Sequence, residues 1–148
     1  MADIETVEKG GEGSLAYCDI LSRYDSKPCD IRTYSPSVLA YIGDTIFDLI
    51  VRSLVIGEGN VSVNKMHKRC ASIVNAKSQA RLYEAIEPKL SEEEMDIMRR
   101  GRNSHQKTMA KNASAADYHK ATGLEALIGY LYMTGQTERI FELLGDLL

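Results

Sequence analysis

Apolar residues recur every three or four positions along most of this chain, a spacing that predicts amphipathic helices. The longest such segment starts at Ser35-Pro36, since serine caps a helix and proline suits its first turn. It ends near Gly57-Glu58-Gly59, after apolar residues at Val38, Leu39, Ile42, Ile46, Leu49, Ile50 and Val55. No segment alternates between apolar and polar residues for long enough to predict a strand. The pattern therefore predicts an all-α fold of about five to seven helices.

Serine caps and glycines predict the other helix boundaries. Ser62 predicts a second helix that runs toward Ala85, with a break near Ala71. Ser91-Glu92-Glu93-Glu94 is a capping-box sequence, and the helix that it starts should end at Gly101. Three further segments are then expected: a polar loop or broken helix over 102–114, a long helix over Ala115–Met133 and a short one over Gln136–Leu148.

The first 34 residues differ from the rest in composition. Residues 1–30 contain seven acids and three bases. They also include Gly10-Gly11-Glu12-Gly13, which is typical of a flexible segment, and Leu15 to Tyr24 allows one short helix. We therefore expect an acidic, flexible leader over residues 1–34 and a single folded domain over 35–148.

The basic residues are concentrated in two segments, although the net charge is −3. Lys65 to Arg81 contains five bases and no acid, and Arg99 to Lys120 contains six bases and one acid. Long side chains with several donors are suited to phosphate and sugar groups. Both segments are therefore candidate nucleic-acid-binding surfaces, and solvated helix faces are the alternative interpretation.

Several other classes of protein are disfavoured. The three cysteines, Cys18, Cys29 and Cys70, are widely spaced and form no Cys-x-x-Cys pair, which indicates reduced thiols in a cytoplasmic protein. No apolar run approaches the length of a membrane span. A phosphate-binding glycine loop and a dinucleotide fingerprint are both missing from the sequence.

Two acidic residues lie within otherwise apolar helical segments. Asp44 belongs to Ala40-Tyr41-Ile42-Gly43-Asp44-Thr45-Ile46-Phe47, and Glu125 to Ala121-Thr122-Gly123-Leu124-Glu125-Ala126-Leu127-Ile128-Gly129-Tyr130. Burying an ionised carboxylate is costly unless a metal, a cation or hydrogen bonds compensate it. The adjacent glycines allow another backbone to approach. Oxygen ligands suit Mg²⁺ or Mn²⁺, so the pattern predicts a shared metal site for the cleavage of nucleic acid.

Several motifs resemble those of ribonuclease III domains. The segment from Ala40 to Ile46 resembles their signature helix, and the segment from Gly123 to Gly129 resembles their second acidic motif. The similarity is closest to Mini-ribonuclease III, the bacterial form without a separate double-stranded-RNA-binding domain. It extends over roughly residues 35–144 and includes, in order, Asn64-Lys65-Met66-His67-Lys68, Ala76-Lys77-Ser78-Gln79-Ala80, Arg99-Arg100-Gly101-Arg102-Asn103 and Lys111-Asn112.

This resemblance implies a homodimeric, Mg²⁺-dependent endoribonuclease that cuts double-stranded RNA, usually the 23S ribosomal RNA precursor. The catalytic domain would be residues 35–148, and the products would carry 5′-phosphate and 3′-hydroxyl ends. By motif, Asp44 and Glu125 correspond to the catalytic metal-binding acids. Asp48 and Thr122 are candidates for residues that contact these metal ligands or a metal-bound water. The candidate RNA-binding residues are Lys65, His67, Lys68, Lys77, Gln79, Arg99, Arg100, Arg102, Asn103, Lys107, Lys111 and Asn112.

Some positions depart from the wider ribonuclease III pattern. Ser37, Ala40 and Thr122 stand where that pattern has acids. The smaller carboxylate set leaves the number of metals open and makes a non-catalytic double-stranded-RNA-binding module the main alternative. A helical DNA-binding protein is a third possibility, although no helix-turn-helix pattern supports it. The apolar face of the Asp44 helix is the expected dimer interface.

Overall fold

A computed structural model describes residues 13–104, 114–145 and 148. Within these residues the chain forms seven α-helices, two short 3₁₀ turns and no strand. The helices are α1 (Tyr17–Arg23), α2 (Pro36–Gly57), α3 (Val63–Ile73), α4 (Ala76–Ile86), α5 (Glu92–Arg102), α6 (Ala115–Met133) and α7 (Thr137–Leu144). The 3₁₀ turns are Ile31–Thr33 and Glu87–Lys89. The prediction of an all-α fold is confirmed.

Two predicted helix starts are formed by the expected caps. The Ser35 hydroxyl oxygen accepts a hydrogen bond from the backbone N–H of Val38, with proline in the first turn of α2. At α5 the Ser91 hydroxyl accepts from the Glu94 N–H, while the Glu94 carboxylate accepts from the Ser91 N–H. This reciprocal capping box satisfies two donors that a helix end otherwise leaves unpaired.

The break between α3 and α4 differs from the prediction. Ala71 lies inside α3, and the chain leaves the helical conformation only at Val74 and Asn75. The Asn75 side chain explains this position, because its amide donates to the carbonyl of Ala71 while its oxygen accepts from the N–H of Ser78. One residue thus ends α3 and caps α4. Two other helices end at different residues from those predicted: α5 ends at Arg102 instead of Gly101, and α7 ends at Leu144 instead of Leu148.

The core is built around α6. Eleven of its nineteen residues are buried, from Ala121 to Tyr132, because α2, α4 and α5 all pack against it. A helix that is covered on several sides shows little amphipathic character. The surrounding helices contribute the largest fully buried side chains of the core outside α6, namely Phe47, Val51, Tyr83, Ile86 and Met98.

The N-terminal end of the described chain packs onto this core. The Tyr132 hydroxyl donates to the carbonyl of Leu15 at 2.8 Å, and the Tyr17 ring packs edge-on against Tyr132 at 6.1 Å between centroids. These contacts place α1 on the C-terminal half of α6.

The C-terminal helix α7 is joined to the start of α5 by Arg139. Its guanidinium donates to the buried Glu94 carboxylate at 2.9 Å and to the Lys89 carbonyl at 2.9 Å. The ion pair lowers the pKa of Glu94 below its ordinary value, since Arg139 stabilises the ionised form. Glu94 therefore serves both the capping box of α5 and the attachment of α7.

None of the helices in the described ranges combines the length and the apolar character needed to cross a bilayer.

Candidate active site

Two glycines bring the backbones of α2 and α6 into contact. A Cβ atom added to Gly43 would lie 1.7 Å from the carbonyl oxygen of Glu125, and one added to Gly129 would lie 1.9 Å from the carbonyl oxygen of Leu39. The obstructing atoms are backbone, so relieving either clash would require a whole helix to move. The crossing therefore requires glycine at both positions, and it fixes Asp44, the residue after Gly43, beside Glu125.

The environment of the Glu125 carboxyl group strongly raises its pKa. Its pKa is raised from 4.5 to about 8, chiefly by burial, then by the negative charge of Asp44 and by a hydrogen bond with Asp44. The Gln79 side chain acts in the opposite direction and lowers the pKa of Glu125. The two carboxyl groups are thus close enough to influence each other directly.

Asp44 is more exposed than the sequence pattern predicted. It lies on the surface, whereas Gly43 and Phe47 on the same helix are buried. Because successive residues of a helix are rotated by about 100°, Asp44 lies at the edge of the buried face and not within it. The carboxylate pair therefore has one member in solvent and one partly buried, and it is accessible from the side of Asp44.

Within the described residues neither Asp44 nor Glu125 forms an ion pair with a base, and the ion pairs there involve other acids. The described residues also contain no group of three or more His, Cys, Asp or Glu side chains placed to hold a metal ion. Two carboxylates nevertheless fit Mg²⁺, which proteins commonly bind through one or two carboxylates completed by water and substrate phosphates.

Asp48 and Thr122, the two candidates for contacts to the metal ligands, interact with other residues. Asp48 forms an ion pair with Arg52, one turn further along α2, at 2.8 Å between Nε and Oδ2. Thr122 is buried on α6, and its hydroxyl donates to the carbonyl of Tyr118 at 3.0 Å. Asp48 is therefore engaged on the surface side of α2, while Thr122 is engaged within its own helix.

The basic end of α5 packs against α6 at Gly123 and Ala126. A Cβ atom added to Gly123 would lie 2.7 Å from the carbonyl oxygen of Met98 and 3.2 Å from the amide nitrogen of Arg102. Gly123 precedes Glu125 by two residues, a rotation of about 200° on a helix, so the last turn of α5 packs on α6 at the level of Glu125 but on a different side of the helix. The predicted RNA contacts in this turn are the exposed Arg99, Arg100 and Asn103 and the half-buried Arg102.

Tyr83 holds Arg102 in place, a role that the sequence analysis did not assign. The Arg102 Nη1 donates to the Tyr83 hydroxyl at 3.2 Å, and the guanidinium carbon lies 5.9 Å from the centroid of the ring. The Tyr83 ring is buried and also adjoins Gly123. The sequence feature that could have indicated this role is the spacing of Tyr83, which lies four residues after Gln79 and therefore on the same face of α4.

The remaining RNA-binding candidates are spread over several places. Lys65, His67 and Lys68 are exposed on α3, which packs near Val55 and Ile56, about three helical turns from Asp44. Lys77 is exposed on α4, whereas Gln79 is only 5% exposed and faces Glu125. Lys107, Lys111 and Asn112 lie outside the described residues.

Comparisons with known proteins agree with this arrangement. The Ribonuclease III domain model matches residues 37–136, which include both α2 and α6. The chain is 40% identical over 138 residues to Mini-ribonuclease 3 of Thermoanaerobacter sp. (strain X514), covering 93% of this chain and 94% of that relative. It is also 45% identical over 109 residues to Mini-ribonuclease 3 of Brevibacillus brevis, covering 74% of this chain and 81% of that relative. The chain belongs to the Mini-ribonuclease 3 family.

A solved structure supports the same fold for this Mini-ribonuclease 3 family member. An X-ray crystal structure of a protein from Fusobacterium nucleatum matches it with a TM-score of 0.73 and 33% sequence identity. The match covers 80% of this chain and 95% of that protein. The all-α ribonuclease III fold is therefore supported by the sequence, by the helical structure and by a solved relative.

Proposed function

We propose that this ribonuclease III-type endoribonuclease hydrolyses double-stranded RNA in a Mg²⁺-dependent reaction. The observation that carries the proposal is the pairing of Asp44 with Glu125 where α2 crosses α6. The basic end of α5 supports it, because Arg99 and Arg100 are exposed donors for phosphate on a helix that packs against α6.

Ribonuclease III family nucleases generally depend on a divalent metal ion, and the carboxylate pair suits one. Two carboxylates that form no ion pair with a base repel each other, and a cation removes this repulsion. Asp44 and Glu125 would hold Mg²⁺, with Mn²⁺ as a substitute. Such an ion, when bound, supplies an activated water and stabilises the charge that develops on phosphorus.

The residues of the chain determine where the phosphate must lie. Asp44 at the accessible edge and the partly buried Glu125 would define one side of the reacting group. Water attacks phosphorus in line with the bond to the 3′ oxygen. A new bond forms between water oxygen and phosphorus as the old bond breaks, giving 5′-phosphate and 3′-hydroxyl ends.

The exposed bases suggest recognition of the duplex by its shape. A-form RNA presents phosphates and 2′-hydroxyls across a wide minor groove, and proteins contact these groups largely without reading the bases. The basic turn of α5 and the separate basic surface of α3 suit contacts to different parts of one duplex. The proposed cellular substrate is the precursor of 23S ribosomal RNA.

The exposed side of α2 supports a homodimer. Val38, Tyr41 and Leu49 are large apolar residues that remain exposed in the described chain, and Tyr41 is 80% exposed. They adjoin an apolar groove that α2 forms with Leu15 and Phe141. In a dimer built on this face, each protomer would cut one strand of the duplex.

A cleavage assay tests the proposed reaction. Duplex RNA is incubated with the protein and Mg²⁺, with and without chelator, and the variants Asp44→Asn and Asp48→Asn are compared. We expect Asp44→Asn to abolish cleavage, while the helical circular-dichroism spectrum and the binding of duplex RNA are retained. Asp48→Asn is the matched control, because Asp48 lies one turn along the same helix in an exposed pair with Arg52, and it should retain activity.

Other outcomes of the same assay favour the alternatives. Cleavage by Asp44→Asn at the native rate would contradict the assignment of the site. Tight duplex binding without any Mg²⁺-dependent cleavage by the unmodified protein would favour a non-catalytic RNA-binding module. Stronger competition by duplex DNA than by duplex RNA would favour a DNA-binding protein.

A further inference from the structure

Gln79 is a buried polar side chain whose position packing alone does not explain. It lies on α4 at 5% exposure, and its Nε2 has no hydrogen-bond partner in the part of the chain that is described. An amide buried without a partner destabilises a fold, so an apolar residue would suit a purely structural position better. The unpaired donor therefore points to a role for the amide other than packing.

The packing of α4 on α6 directs this amide toward Glu125. Lys120 near the start of α6 pairs with Glu84 near the end of α4, and Glu125 further along α6 meets Gln79 earlier on α4, so the two helices are antiparallel. The amide stabilises the ionised form of Glu125, although Nε2 lacks good hydrogen-bond geometry. Hydrogen bonds in active sites are often long until the ligand binds.

We propose that Gln79 is a positioning residue for Glu125, with Nε2 donating to one carboxylate oxygen so that the other oxygen points toward the metal ion shared with Asp44. The proposal rests on the metal-dependent function proposed above. It gives Gln79 a different role from the RNA contact that its motif predicts.

The chemistry of the amide suits this role. A lysine or arginine at the same place would neutralise Glu125 and weaken its attraction for a cation, whereas a neutral amide orients the carboxylate and leaves its charge intact. Asp44 approaches Glu125 from α2 and Gln79 approaches it from α4. The two contacts from different helices restrict the carboxylate more than either contact alone.

The test compares Gln79→Met, which has similar size but no amide, with the neighbouring control Ser78→Ala. Three quantities are measured: Mn²⁺ binding by the free protein, the Mg²⁺ concentration that half-saturates cleavage, and the Tm without metal. We expect Gln79→Met to weaken Mn²⁺ binding and to raise the half-saturating Mg²⁺ concentration by about tenfold or more. Its Tm without metal should stay the same or rise, because an unpaired buried amide is removed, and its KM for duplex RNA should not change. Ser78→Ala should match the unmodified protein in all assays.

Several results would overturn the proposal. Unchanged Mn²⁺ affinity, or a lower Tm with no change in metal dependence, would show that Gln79 has only a structural role. If Gln79→Met does not fold, Gln79→Asn retains a polar amide that is too short to reach Glu125, and it must show the same loss of Mn²⁺ affinity. If the unmodified protein binds Mn²⁺ without cutting RNA, the proposed reaction fails while the Mn²⁺ comparison still decides the role of Gln79.

Discussion

The two faces of α2 are both apolar, yet they have different surroundings. One face is buried against α6 and the rest of the core, and it consists of Leu39, Gly43, Phe47, Val51 and Val55. The opposite face is exposed and includes Val38, Tyr41 and Leu49. Only the buried face contains a glycine in backbone contact with another helix. Hydrophobicity alone therefore does not distinguish the face that builds the core from the face that is available to a partner.

Asp44 lies at the border between these faces. Its neighbour Gly43 touches the backbone of Glu125, while Tyr41 and Thr45 on its other side are exposed. One helix thus connects the core, the carboxylate pair and the proposed dimer interface. Substitutions on each face should separate these roles.

Gly43→Ala should have the largest effect. The added Cβ would lie 1.7 Å from a backbone oxygen, so α2 and α6 must move apart. Overpacking of a rigid core typically costs about 1–3 kcal/mol, and a backbone obstruction belongs at or above the upper end of that range. We expect a marked loss of unfolding free energy in urea, together with loss of cleavage, because the separation also displaces Asp44 from Glu125.

Gly57→Ala is the matched control for that substitution. Gly57 ends the same helix, and a Cβ atom there would meet nothing within 4 Å. Alanine favours helix over glycine by about 1 kcal/mol in a helix interior and by less at an end, so stability should stay the same or rise slightly. Equal stability of both variants would show that α2 and α6 do not cross as closely as described.

Tyr41→Asp should have an intermediate effect on the other face. The side chain is 80% exposed, so the folded protomer should lose little stability. A charge in an apolar interface should convert the proposed dimer to a monomer in sedimentation equilibrium. Tyr24→Asp is the control, because Tyr24 is 81% exposed on the surface after α1. Dissociation by both substitutions, or by neither, would argue against an interface on this face of α2.

The pH dependence of stability should show the smallest effect. The pKa of Glu125 is about 8 in the folded protein and 4.5 without the fold, so the folded state binds this proton more tightly. Without divalent ions, unfolding free energy should therefore fall as pH rises from about 4.5 to about 8, by a few kcal/mol at most.

The difference between the unmodified protein and Glu125→Gln isolates this contribution, since other titrating groups are common to both. Urea unfolding at several pH values should show a flatter profile for the variant. Added Mg²⁺ should reduce the decline in the unmodified protein. Parallel profiles without metal would show that Glu125 does not titrate in this range.

Local chemistry made much of the fold predictable. Ser35 and Ser91 are followed by the residues that complete their caps, so the starts of α2 and α5 could be derived from short segments. The break at Asn75 was predicted too early, near Ala71, because its position depends on hydrogen bonds of the asparagine side chain to both helices. Such a double role is not visible in hydrophobic periodicity.

The site was less predictable, because it depends on how helices are rotated against one another. The apolar neighbours of Asp44 suggested burial, yet a step of one residue from Gly43 moves it to the accessible edge. Gln79 belongs to a basic segment but faces the interior. The assignment of Asp44 and Glu125 as metal ligands came from two acids within apolar segments and from the family resemblance, and it stays a prediction, supported by their proximity.

The Arg139 ion pair has a consequence for local opening. Because Arg139 contacts Glu94, and Glu94 also caps α5, separation of α7 would remove a partner from the first turn of α5. Elements that share contacts in this way tend to open as one cooperative unit. Amide hydrogens in α7 and at the start of α5 should therefore exchange with solvent at similar rates. Fraying of α7 would then extend to the helix whose other end carries Arg99, Arg100 and Arg102.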